Sequence, residues 1–158
     1  MIALFLGLML ANFICLIGTA VVGYSGAEAM HWHRLFGALT AIVCCAVHCV
    51  VFTYFIATGK WIEHAILVKQ LDPALANPTR PLRKMAFAAA LSVIALAIAT
   101  PIVGAAVDNL YLSPPWHHVM AIVLLAANLA AAAAEYRCIR DNGLVIDDIL
   151  ARLNATSA

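Results

Sequence analysis

Six histidines occur in this chain of 158 residues, and four of them fall in two clusters beside tryptophans. His31 and His33 flank Trp32, while His117 and His118 follow Trp116. Imidazole nitrogen is a ligand for haem iron, copper, zinc and nickel. Axial ligation of a haem needs one histidine from each of two facing helices, and helix bundles build cofactor sites in that way. His33 and His117, with His118 as the alternative to His117, are therefore the candidate ligands for a b-type haem (haem b) or a metal ion. His31 and His118 otherwise read as solvated. Glu28 and Asp108 sit in the same two connections and could orient a ligating imidazole from behind. The competing reading is that tryptophan–histidine pairs anchor the chain at a membrane interface.

His48 is the next candidate. It lies well inside an apolar run, where an ionisable group is a functional hypothesis by default. Gly37, Ala41 and Cys44 share its helix face, and that small stripe admits either a close neighbouring helix or a flat cofactor. Matched for depth, Asn12, His48, Ser92 and Asn128 give each apolar run one polar residue near its middle. They read as a hydrogen-bonded packing layer, a quinone or proton site, or a haem site with His48 and Met9 as ligands. His33 and His48 are 15 residues apart, about 22 Å along a helix, and cannot share an ion. The position matching His48 in the fourth run is Ala132, so only one bis-histidine site can be argued. Cys44, Cys45, His48 and Cys49 cannot wrap one tetrahedral ion from a single straight helix. Glu135 and Arg137 are expected to reach toward the nearer membrane surface. No serine-nucleophile, zinc-protease or dinucleotide motif is present.

The elements that carry these residues follow from composition. Hydrophobic residues make up 65% of the chain, charged residues 11%, and the mean hydropathy is +0.98. Soluble domains are nearer 45–50% apolar and about 25% charged, so a membrane protein is indicated. A net charge of +1 argues against a charge-driven nucleic-acid partner. Four runs, at about 2–23, 35–58, 85–107 and 117–136, reach the roughly 20 residues a helix needs to cross a bilayer. They are continuous rather than alternating, so the fold class is all-α: an integral membrane four-helix bundle rather than a β-barrel. Eight of the nine Lys and Arg residues lie in the 60–84 connection and after the fourth run. That asymmetry places both termini in the cytoplasm and the protein in the plasma (inner) membrane. The first run is read as a retained span, since it lacks the basic leader and short apolar core of a signal peptide. Residues 1–140 then form the bundle and 141–158 a cytoplasmic tail. Trp61, Ala65, Val68 and Leu71 suggest one short amphipathic helix at the inner face. A turn at Asp141-Asn142-Gly143 would precede a second helix carrying Ile146, Ile149, Leu150 and Leu153.

The two hairpins also look alike. Thr19-Ala20-Val21-Val22-Gly23 matches Thr100-Pro101-Ile102-Val103-Gly104, and Trp32-His33 matches Trp116-His117. A parallel repeat of this kind would set His33 and His117 at one depth on opposite helices. In layout, with His33, His48 and His117 near span ends or inside spans, the chain resembles the membrane-anchor cytochrome b type of subunit. The resemblance implies electron transfer between a partner outside and quinone or a protein within the membrane. Two other functions fit the sequence: a non-catalytic structural or assembly subunit of a larger membrane complex, and a metal or small-solute carrier. In each case the partners are the lipid bilayer and a membrane protein or second copy, and enzymatic activity of the chain alone is not expected.

Overall fold

The computed structural model describes residues 1–156 and consists of four long helices. Helix α1 spans Ile2–Gly23, α2 Met30–Lys69, α3 Thr79–Asp108 and α4 Pro114–Thr156. Single turns of 3₁₀ helix at Ala27–Ala29 and Pro73–Ala76 serve the first two connections. Gly26, at φ +104°, makes the left-handed bend after α1 that a side chain would strain. Gln70 ends α2 in the left-handed conformation, and the Asp72 carboxylate accepts from the Ala74 amide to start the next turn.

The helices alternate in direction. α1 packs on α2, α2 on α3 and α3 on α4, and α4 closes against α1. This leaves α2 and α4 on a diagonal. One end of the bundle, here the histidine end, carries the α1–α2 and α3–α4 connections. The other, the basic end, carries both termini and the α2–α3 connection.

All four helices are long and apolar enough to cross a membrane, which is compatible with a small multi-pass membrane protein. Two of them are much longer than a bilayer requires. α2 has 40 residues and α4 has 43, about 60 Å each, against a hydrocarbon core of about 30 Å. The amphipathic segments expected as separate helices are instead continuations of α2 and α4. A lone glycine within a helix costs only about 1 kcal/mol relative to alanine, and packing at the basic end opposes that cost. Ile62, Ala65 and Ile66 of α2 are buried in one cluster with Ile149 of α4. The Asp141-Asn142-Gly143 turn is likewise absent. Asn142 is buried and donates hydrogen bonds to α2, which holds that segment helical.

The exterior is oily and the interior is partly polar. Leu4, Leu10, Ile14 and Val21 of α1, with Leu91 and Ile102 of α3, face outward. Ala86, Ala90, Val93 and Ala97 line the inner face of α3. Where the surroundings are as apolar as leucine, helix association depends on such small residues and on interhelical hydrogen bonds.

Candidate functional site

His33, near the start of α2, and His117, near the start of α4, meet at the histidine end. Their ring centroids are 5.9 Å apart and the planes are nearly perpendicular, at 81°. Each ring is seated against a glycine of the helix before it in the chain. A Cβ on Gly23 would lie 2.7 Å from His33 Nδ1, and one on Gly104 would lie 3.0 Å from His117 Cε1. Hydrogen at these two positions is therefore what lets the rings approach the backbones of α1 and α3.

The carbonyl one turn before each glycine faces the same ring. His33 Nδ1 lies 3.0 Å from the Thr19 oxygen. A carbonyl can only accept, so Nδ1 carries the proton and Nε2 keeps its lone pair. On the other side the Thr100 carbonyl faces His117, but His117 Nδ1 makes no hydrogen bond. The matched segments of the two hairpins thus fill matched roles: threonine carbonyl, glycine seat, histidine.

The remaining histidines of this end point elsewhere. His118 is exposed and stacks on Tyr24 at 5.7 Å, and His31 sits edge-on to Trp32. Asp108 is drawn to Arg34 by a 2.8 Å ion pair that ties the two hairpin ends together. Glu28 is exposed.

Beneath the histidine pair, four polar layers descend through the core. Thr19 and Thr40 share a hydroxyl hydrogen bond of 2.7 Å. Next, Asn12 donates to Asn128 at 2.9 Å, and Asn128 donates to the Cys44 sulfur at 3.1 Å. One turn further, His48 Nδ1 meets the Glu135 carboxylate at 2.8 Å, and both side chains are 0% exposed. Finally, the Asn142 amide donates to the Tyr54 and Thr58 hydroxyl oxygens at 3.1 and 3.2 Å.

Asn12, His48 and Asn128 are therefore core residues, with Cys44 between Asn128 and His48. Ser92 does not join them. It is exposed and donates to the Ala88 carbonyl of its own helix, which satisfies a hydroxyl without any partner helix. Glu135 does not extend to a surface either; it turns into the core because His48 is there to receive it. Asn128, Glu135 and Asn142 recur every seven residues, which puts them on one face of α4. That spacing is the sequence signal that would have found Glu135. Cys44 is buried, whereas Cys49 is exposed. Among the described residues, no group of three or more His, Cys, Asp or Glu side chains is placed to hold a metal ion.

No family model matches the chain, and neither a curated protein nor a solved structure matches it.

Proposed function

We propose that this is an electron-transfer protein of the inner membrane that holds one b-type haem between His33 and His117. Both termini lie in the cytoplasm, because the basic residues gather at that end. The observation that carries the reading is the facing pair of imidazoles, each backed by a glycine and a threonine carbonyl. His33 from α2 and His117 from α4 would hold the haem, and their ring centroids lie 5.9 Å apart. Zinc and copper sites take three or four protein donors, whereas this site offers two. A haem, which needs only one or two ligands from the protein, fits that donor set.

When bound, haem supplies reversible one-electron chemistry. The chain's own groups orient the ligands. The Thr19 carbonyl fixes the His33 tautomer with Nε2 as the donor atom, and the Gly23 and Gly104 seats set how far each ring can retreat. Electrons would come from a protein partner at the histidine end and pass to quinone or to a partner in the membrane. His48 is left out of ligation here because no second histidine stands opposite it; the matching position on α4 is Ala132.

The test is the colour of the purified protein. A Soret band should be present, should vanish in His33→Ala and in His117→Ala, and should persist in His31→Ala and His118→Ala. Loss of the band in His48→Ala alone would refute the assignment. A second reading, a colourless packing subunit of a larger complex, is favoured by the Asn12–Asn128–Cys44 layer, which is built to join helices. Absence of pigment and of bound metal by elemental analysis would select it.

A further inference from the structure

We propose that the His48–Glu135 pair is a proton-loading site supplied from the basic end, taking up a proton when the centre between His33 and His117 is reduced. The coupling to reduction rests on the haem reading above; the proton site itself does not.

Both side chains are wholly buried, yet the pair is not closed. His48 Nε2 and Glu135 Oε2 are buried with no hydrogen-bond partner, and so are Asn142 Oδ1 toward the basic end and Asn12 Oδ1 toward the histidine end. Each of these atoms has capacity for a further hydrogen bond. With the Nδ1 proton donated to the carboxylate, Nε2 offers a lone pair and Oε2 a second basic oxygen, so either can receive an incoming proton. Buried polar atoms of this kind are where ordered water binds, typically through about three hydrogen bonds.

The direction of supply follows from distance. Glu135 lies seven residues from Asn142 and eighteen from His117, about 10 Å and about 27 Å along the helix. Toward the basic end, Asn142 joins the hydroxyls of Tyr54 and Thr58, and Arg137 and Arg140 beside this level of α4 are exposed. Toward the histidine end, the amide layer of Asn12 and Asn128 intervenes, and neither amide exchanges protons readily at neutral pH. At the basic end of this route stand the carboxylates of Asp141, which acts on Cys138, and Asp147, which acts on Tyr54. The titratable neighbours of the pair are the thiols of Cys44 and Cys138 and, nearer the basic end, the Tyr54 phenol. α1 carries only Cys15, and α3 carries no titratable side chain between Met85 and Val107.

An electron arriving at a site in low dielectric adds an uncompensated negative charge. A proton taken from water at the basic end and held on the pair offsets that charge, and its release on oxidation restores the starting state. No bond other than those to the proton is made or broken.

The experiment uses the whole protein in liposomes, with a pH indicator confined to one side at a time, and chemical reduction as the trigger. The wild type should take up protons from the basic-end side. Glu135→Gln should keep the Soret band and lose the uptake, while Asn142→Leu should slow it by about tenfold or more. Undiminished uptake in Glu135→Gln, or uptake from the histidine end in the wild type, overturns the proposal. Infrared spectroscopy tests the site without any haem. A protonated-carboxyl C=O band should titrate in the wild type, shift in Glu135→Asp and be missing in Glu135→Gln. A wild type with no such band overturns the proton site whatever its colour.

Discussion

Replacing Gly23 with alanine puts a single methyl group where His33 now lies. Its carbon would stand 2.7 Å from Nδ1 and 2.8 Å from Cε1 of the ring. Ordinary carbon contacts begin near 3.5 Å, so the ring must withdraw by roughly 0.7 Å. Such a shift stretches the 3.0 Å bond to the Thr19 carbonyl past the range of a useful hydrogen bond. The loss is about 1 kcal/mol for the bond and about 1–3 kcal/mol for overpacking. Better helix propensity offsets about 1 kcal/mol of this, leaving a net destabilisation of about 1–3 kcal/mol. Gly18→Ala is the internal control, because nothing lies within 4 Å of its would-be methyl; it should be neutral or stabilising by up to about 1 kcal/mol. Gly104→Ala should fall between them, since its nearest ring atom is at 3.0 Å and His117 Nδ1 has no hydrogen bond to lose. Denaturant unfolding in mild detergent, followed by circular dichroism, gives the ranking. If Gly23→Ala is as stable as Gly18→Ala, the glycine seat is not what positions His33.

Other variants probe the layers below. Glu135→Leu should destabilise by about 3 kcal/mol because it strands a buried imidazole, and adding His48→Leu should recover much of that loss; equal stability of the single and double variants by the same assay would contradict the pairing. Asn12→Leu should cost about 1–2 kcal/mol through the lost Asn128 bond, measured by the same unfolding curves. Ile149→Ala should cost about 2–5 kcal/mol, since its side chain is 0% exposed in the basic-end cluster, and should speed proteolysis within residues 141–156. Arg34→Ala should change stability by less than about 1 kcal/mol, because its ion pair with Asp108 is solvent-screened.

The architecture was readable from the chain because four uninterrupted apolar runs leave the backbone no partner but itself. The pairing of His33 with His117 was readable too, from tryptophan–histidine clusters at matched ends of matched hairpins. Helix continuity was not. The end of the second apolar run near residue 58 and the turn at Gly143 look like breaks in one dimension, and only the contacts of Ile62, Ile149 and Asn142 across the bundle decide against them. Glu135 was misplaced for a related reason. Two residues from Arg137, it looked like part of a surface pair, and its orientation depends on a histidine 87 positions earlier. Ser92 erred the other way: depth was inferred correctly enough to propose a layer, but the face of α3 it occupies was not.

The two shafts that hold the facing imidazoles run on without a joint to the buttress of Ile62, Ile66 and Ile149 at the opposite extremity. Gly37, Gly59 and Gly143 lie within these shafts, and the helix runs through each of them. Leverage that spreads the protruding ends would also alter the gap between the two rings. A displacement at the far extremity thus becomes a change in the spacing of the His33 and His117 rings, carried by the stiffness of the rods.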